Sequence, residues 1–254
     1  MGHGTEYSAN IEVAAGAEAL ACQSVGHFVK EAQEAINTKN SFYVAISGGN
    51  TPRRFYELLG QLPDAKSLPW EKIHLFWVDD RLVPLDSPAS NYRLAAETFL
   101  KNTAIPPRNV HRIETECTDY TVSVERYENT IREVFKLAQG QVPEFDLIFL
   151  GMGVEGHTGS LFPNSYAHLN TDSLACVVYT LDEKHNRITL TERVLRAARK
   201  VIILVSGAEK AGILKEVLTG RVDEVRYPIH TLWPVLERIT WLVDKQAAKL
   251  LENK

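Results

Sequence analysis

The chain has 254 residues, of which 44% are hydrophobic and 24% charged, and its formal net charge is −4. These values are ordinary for a globular protein with one large domain or two small ones. The negative charge argues against an electrostatic nucleic-acid binder, which normally carries a basic domain or stripe. The cysteines Cys22, Cys117 and Cys176 are widely spaced and form no C-x-x-C pair, so neither a disulfide framework nor a structural zinc site is expected.

The N-terminal residues 1–7 lack the apolar segment of a signal peptide. No apolar run of the sequence approaches the length needed to span a membrane. We therefore expect a cytoplasmic protein with neither nucleic acid nor a membrane among its partners.

The first half of the chain alternates between helical and strand patterns. Apolar residues at helical spacing predict a long amphipathic helix near 16–38, followed by a strand at 42–46. Thr51 suits a helix cap and Pro52 a first helical position, so a helix is expected to begin there and to end at Gly60. The pattern then predicts a strand at 73–78, a helix from Ser90 and Asn91, a short strand at 110–112 and a helix near 119–138.

The same alternation continues in the second half. Strands are expected at 145–150, 175–178, 187–190, 201–205 and 239–243, with a helix capped by Thr191, a helix that ends at Gly220 and a terminal helix. Strands that alternate with helices favour parallel pairing with helical crossovers. The sequence therefore predicts an α/β fold: one domain spanning 1–254, with a mostly parallel Rossmann-like sheet and helices on both faces.

Polar loops follow strands at three places, and ligands of open α/β sheets collect at the carboxyl ends of strands. The segment Ser47-Gly48-Gly49-Asn50-Thr51-Pro52 brings small residues to a helix N-terminus, where partial positive charge favours phosphate. An ordinary strand-to-helix turn is the alternative. Asp79-Asp80-Arg81 could orient a polyhydroxylated ligand, although in isolation a solvated turn with an internal ion pair is favoured.

The third loop lies between Gly151 and Pro163, has glycines at 151, 153, 156 and 159, and contains His157. Histidine titrates near neutrality, so its placement here makes it a candidate for proton transfer, with a structural histidine as the alternative. Two cationic side chains lie at strand or helix boundaries, Arg187 and Lys210, and Lys184 lies in the same loop as Arg187. Each of the three could bind a phosphate or be a surface charge. No metal-ligand spacing is present, and no metal is expected.

Together these segments resemble the 6-phosphogluconolactonase family. The resemblance covers about residues 12–250, and its most specific part is the Gly-His-Thr-x-Ser-Leu-Phe-Pro element that begins at Gly156. Asp80 and Glu155 depart from it, because the family usually has Glu and Asp at these two positions; the departures leave the carboxylate roles open, but not that of His157. The matching segments are Ser47–Pro52, Trp77–Pro84 with Ser90–Tyr92, Gly151–Pro163, Arg187–Thr191 and Gly207–Ala211.

The resemblance implies a hydrolase that converts 6-phospho-D-glucono-1,5-lactone to 6-phospho-D-gluconate in the oxidative pentose phosphate pathway, without a cofactor. It implies that His157 is the general base, that Glu155 either holds the imidazole or orders substrate hydroxyls, and that Arg81 or glycine-loop amides stabilise the tetrahedral intermediate. A monomer or small homo-oligomer is expected. Arg81 would also contact the phosphate, and the other substrate-binding residues implied are Ser47, Gly48, Gly49, Asn50, Thr51, Asp79, Arg187 and either Lys184 or Lys210.

Two other functions compete with the lactonase. Glucosamine-6-phosphate deaminases share the Ser-Gly-Gly and Gly-His elements, but they lack Thr-x-Ser-Leu-Phe-Pro and have Asp-Glu-Tyr in place of an arginine-bearing turn. Arg81 and Ser160–Pro163 therefore favour the lactonase. The other alternative is a non-catalytic sugar-phosphate binding module, against which the presence of His157 beside the cations argues.

Overall fold

The structure is a computed structural model and describes residues 9–163, 172–180 and 185–251. Its helices are α1 (Ala17–Lys39), α2 (Asn50–Leu59), α3 (Pro63–Lys66), α4 (Asn91–Thr98), α5 (Tyr120–Phe135), α6 (Glu192–Ala197), α7 (Ala211–Thr219) and α8 (Lys245–Ala248). Its strands are β1 (Asn10–Ala14), β2 (Phe42–Ile46), β3 (Ile73–Trp77), β4 (Asp79–Arg81), β5 (Val110–His111), β6 (Leu147–Gly151), β7 (Ala175–Val178), β8 (Arg187–Leu190), β9 (Val201–Val205) and β10 (Ile239–Asp244).

Seven of these strands form a parallel sheet in the order β1-β10-β9-β6-β2-β3-β5. All residues of β9 and β10 are buried, because both faces of the sheet are covered, as in other parallel sheets. The predicted α/β fold with a mostly parallel sheet flanked by helices is therefore confirmed.

The direction in which the chain winds reverses between β2 and β6, which are neighbours in the sheet. From β2 the chain proceeds through β3 to β5 on one side, and from β6 through β9 to β10 on the other. Loops that leave adjacent strands in opposite directions open a crevice at the carboxyl ends of those strands. The loops after β2 and β6 are the ones that hold Ser47–Gly49 and His157.

A second sheet of three antiparallel strands, in the order β4-β8-β7, stands beside the first. The favoured interpretation of Asp79-Asp80-Arg81 as a solvated turn is wrong, because these residues form β4 and pair with β8. Asp79 and Asp80 are only 4% and 1% exposed. The partner strand lies more than a hundred residues further along the chain, so the local sequence gave no sign of the pairing.

The helix starts follow the predictions with two differences. Thr51 does not cap α2, which begins two residues earlier than predicted, at Asn50, with Gly49 at the N-cap position. Thr191 stands at the N-cap position of α6, but its hydroxyl donates to the carbonyl oxygen of Ser173 at 2.8 Å. Ser90 does cap α4, since its Oγ accepts from the backbone N–H of Arg93 at 3.1 Å.

The buried apolar residues form one continuous cluster that begins at Ala14 and ends at Ala247. A domain has its own hydrophobic core, and the single domain stays a prediction. Within the described ranges, no helix is both long and apolar enough to cross a membrane.

Candidate active site

A cleft of about 330 Å³ opens at the carboxyl ends of β2 and β6. Its volume lies within the range typical of small-ligand sites. Lys184 falls outside the described residues, and the side chain of Glu155 lies beside the cleft rather than in its wall. The cleft brings together the other predicted site residues, which are Ser47, Gly48, Gly49, Asn50, Thr51, Asp79, Arg81, His157, Arg187 and Lys210.

The glycine turn after β2 presents the N-terminus of α2 to this cleft. Two hydrogen bonds hold Ser47 in place. Its Oγ donates to the carbonyl oxygen of Phe149 at 3.0 Å, and the carbonyl oxygen of Ser47 accepts from the Tyr56 hydroxyl. Gly49 precedes the helix with φ of 107°, and in the described chain no side chain caps the first turn, which contains no acidic residue. The uncapped N–H groups and the helix dipole favour an anion at this position.

Gly48 lies directly against the side chain of Asn91, the first residue of α4. A Cβ atom at position 48 would come within 1.8 Å of Asn91 Oδ1. The Asn91 Nδ2 in turn donates to the carbonyl oxygen of Asp79 at 2.8 Å. The close approach therefore connects three segments of the cleft, which are the turn after β2, the start of α4 and the start of β4. Only glycine at position 48 allows it.

Gly48→Ala is therefore expected to rotate the Asn91 carboxamide away, with a stability loss of about 1–3 kcal/mol, as overpacking usually costs. Urea unfolding measures this loss. The matched control is Gly26→Ala in α1, where an added Cβ meets nothing within 4 Å. The control should be neutral or stabilising by about 0.5–1 kcal/mol, since alanine favours helices over glycine. Equal stabilities for the two variants would contradict the steric argument.

His157 is partly buried, and its side chain is 22% exposed. Its Nδ1 lies 3.0 Å from Glu155 Oε1, which leaves Nε2 as the ring nitrogen available to a ligand in the cleft. The pKa of Glu155 is lowered to about 2, first by its interaction with His157 and to a smaller extent by the charge of Lys210. A carboxylate that stays ionised can hold the imidazole in one orientation. A Cβ at Gly153 would lie 2.2 Å from His157 Nδ1, so the loop needs glycine there for the ring to approach this closely.

Arg81 and Arg187 stand directly opposite each other on β4 and β8. Like charges directly opposite each other destabilise a strand pair. Both line the cleft. Arg187 lies 3.8 Å from the carboxylate of Asp79 and packs 5.0 Å from the centre of the Phe162 ring, which in turn is 4.5 Å from the His157 ring. The pair makes this wall of the cleft a candidate anion site.

Lys210 closes the cleft from the turn that follows β9. It is half-buried, and desolvation lowers its pKa against the opposing effects of Glu155 and Glu209. Of the two lysines that the sequence left open, Lys210 lines the cleft, and Lys184 lies outside the described residues.

Asn91, Glu209 and Ser160 are among the residues of this region that were not predicted as site residues. Asn91 and Glu209 line the cleft, and Ser160 is fully buried with its Oγ donating to Asp79 Oδ2 at 2.6 Å. Asn91 and Ser160 belong to the resemblance segments, which was the available signal for them. Glu209 also belongs to a resemblance segment, Gly207–Ala211, so the same signal was available for it.

A larger hollow of about 510 Å³ lies at the opposite, amino ends of β1, β6, β9 and β10. Its charges are already paired with one another, with Lys39 2.7 Å from Asp146 and Lys200 2.6 Å from Glu31. Because it offers neither an uncompensated cation nor a loop at a strand's carboxyl end, we place the site in the smaller cleft. Among the described residues, no three His, Cys, Asp or Glu side chains are grouped as metal ligands would be.

Comparison with known proteins covers most of the chain. The family described as glucosamine-6-phosphate isomerases/6-phosphogluconolactonase matches residues 15–241. The chain is 39% identical to 6-phosphogluconolactonase of Synechocystis sp. over 218 residues, covering 86% of this chain and 88% of that protein. It is 36% identical to 6-phosphogluconolactonase of Nostoc sp., covering 93% and 96% of the two chains. Among solved structures, 6-phosphogluconolactonase from Thermotoga maritima is similar with a TM-score of 0.78 and 30% identity, over 94% of this chain and 100% of the other.

Proposed function

Because this chain belongs to the glucosamine-6-phosphate isomerase and 6-phosphogluconolactonase family, we propose that it hydrolyses 6-phospho-D-glucono-1,5-lactone to 6-phospho-D-gluconate. This is the lactone-opening step of the oxidative pentose phosphate pathway. The observation that carries the proposal is the shared cleft, in which the His157 imidazole faces the same space as the opposed arginines Arg81 and Arg187. Hydrolysis of a phosphorylated sugar lactone requires a proton acceptor near the ester carbonyl and cations near the phosphate.

The phosphate is assigned to the cationic wall of the cleft. The N–H groups of Gly48 and Gly49 at the start of α2 contact it from one side, and Arg187 and Lys210 contact it from the other. Arg81 lines the same cleft as His157 and these groups, and it is assigned either to the phosphate or to the oxygen that becomes negative during the reaction. Asn50 and Thr51 in the first turn of α2 and the Asp79 carboxylate are assigned to the sugar hydroxyls.

His157 is assigned the proton transfers. Its neutral Nε2 accepts a proton from water as the water oxygen attacks the lactone carbonyl carbon, and a tetrahedral intermediate forms. The imidazolium then gives that proton to the ring oxygen as the bond between this oxygen and the carbonyl carbon breaks. Glu155 stabilises the imidazolium, since its low pKa keeps it ionised. The product acid ionises at neutral pH, so one proton is released for each lactone opened.

Titration at constant pH with freshly prepared lactone measures this proton release, after subtraction of the spontaneous hydrolysis. We expect turnover of the lactone and no ammonia from glucosamine 6-phosphate. Ammonia release without lactone opening would identify a deaminase instead. Binding of 6-phosphogluconate without any turnover would identify a sugar-phosphate binding module.

A further inference from the structure

We propose that Asp80 is a positioning residue: its buried carboxylate fastens the first turn of α4 to β4 and thereby sets Arg81 and Asn91 in the cleft. Asp80 is 1% exposed and is not part of the cleft wall, so it acts through these two neighbours rather than on the substrate. The inference rests on the proposed function, which assigns Arg81 to the phosphorylated substrate.

The carboxylate accepts hydrogen bonds from both ends of the loop between β4 and α4. Its Oδ1 accepts from the backbone N–H groups of Asn91 at 2.7 Å and Arg81 at 2.8 Å. Its Oδ2 accepts from the N–H of Tyr92 at 2.9 Å and from Ser90 Oγ at 3.3 Å. The carboxylate of Asp80 therefore links the end of β4 to the start of α4 through four hydrogen bonds.

These contacts also compensate the cost of burying the carboxylate. Burial raises the pKa of Asp80 to about 6, while the N–H donors of Asn91, Tyr92 and Arg81 act in the opposite direction. A charged group this deep in the protein is tolerated when donors surround it. An amide in its place would have one acceptor oxygen and would turn an NH₂ group toward N–H donors.

The residues on either side of this clamp are the ones that reach the cleft. Arg81 Nη1 donates to the carbonyl oxygen of Ala89 at 2.7 Å, and its buried Nε has no hydrogen-bond partner in the described chain. Asn91 bonds the backbone of Asp79 and fills the space above Gly48. A loosened clamp would therefore shift a cation and a carboxamide at once, and small displacements of binding groups weaken recognition strongly.

The test is a double-mutant cycle of Asp80→Asn and Arg81→Ala, read out as the Kd of 6-phosphogluconate by calorimetry. We expect Asp80→Asn to weaken binding about tenfold in the wild-type chain and less than about threefold once Arg81 is absent, because coupled residues are not additive. The matched control is Asp119→Asn. Asp119 caps α5 by accepting from Thr121 N–H at 2.9 Å and does not line the cleft. The Kd of 6-phosphogluconate for the Asp119→Asn variant should therefore equal that of the wild type.

Thermal unfolding of each variant separates lost stability from lost positioning. An unchanged Kd in Asp80→Asn, or the same weakening with and without Arg81, would overturn the proposal. If Asp80→Asn does not fold, Asp80→Glu replaces it. Glutamate is the residue that the resembled family usually has here, but in this chain the start of α4 is bonded to the shorter Asp80. Glutamate would carry both oxygens one methylene further and shift that start, for which we expect about threefold weaker binding; unchanged binding would again overturn the proposal.

Lactone turnover by the unmodified chain is measured in parallel. Turnover together with an unchanged Kd in the Asp80 variants would retain the proposed function and reject the positioning role. Absence of lactone turnover together with a Kd that depends on Asp80 would reject the proposed function and retain the positioning role.

Discussion

Replacing His157 by alanine is expected to lower kcat for lactone hydrolysis by about 10²- to 10⁴-fold, the usual contribution of general acid–base catalysis. KM should change little, because the phosphate contacts assigned to the glycine turn, the arginines and Lys210 do not involve the imidazole. Stopped-flow measurement of proton release, corrected for spontaneous opening of the lactone, gives both constants. An alanine variant with the wild-type kcat would remove His157 as the base.

The chain offers a matched control for this experiment. His27 also contacts a glutamate, with its Nε2 2.8 Å from Glu12 Oε2, but it lies on α1 and outside the cleft. His27→Ala should leave both kcat and KM unchanged. A loss of activity in this variant similar to that of His157→Ala would indicate that histidine removal acts through stability alone, and melting temperatures of the two variants would show it.

Most of the fold could be predicted from local patterns. Continuous apolar runs such as Val201–Val205 indicated buried parallel strands, and the structure places this strand inside the seven-stranded sheet. The small antiparallel sheet could be predicted only in part. The strands at 175–178 and 187–190 were expected, but Asp79–Arg81 has two acidic residues and no apolar alternation, so nothing local indicated a buried strand.

Many of the residues that line the cleft could be predicted from the sequence, but their geometry could not. Glycine turns at strand ends indicated that Gly48 and His157 belong to one edge of the sheet, which the cleft brings together. The opposition of Arg81 and Arg187 depends on the register between β4 and β8, and register is set by tertiary packing. The hydrogen bonds of Asp80 were equally hidden, since its partners Asn91 and Tyr92 lie beyond a loop whose path the sequence does not specify.

Arg187→Ala is expected to raise KM for the lactone about 10- to 100-fold, since a hydrogen bond to a charged group contributes about 1.5–3 kcal/mol. The kcat should fall less than about tenfold, because Arg187 is assigned to the phosphate and not to the reacting carbon. Steady-state titration with the lactone over a wide concentration range separates the two constants. A large loss of kcat at unchanged KM would instead place Arg187 at the developing oxyanion.

Arg187→Lys sharpens this prediction, because lysine keeps the charge and loses the planar group. The Arg187 guanidinium packs 5.0 Å from the centre of the Phe162 ring and is only 8% exposed, so its orientation is fixed before substrate arrives. A flexible ammonium lacks that preorganisation and the two-pronged contact with phosphate oxygens, so KM should lie between those of the wild type and the alanine variant. Arg54→Ala, which removes an exposed arginine paired with Glu18, is the control and should leave KM unchanged. If Arg187→Lys matched the wild type, charge alone would account for the contribution of this side chain, and the stacked geometry would be irrelevant to binding.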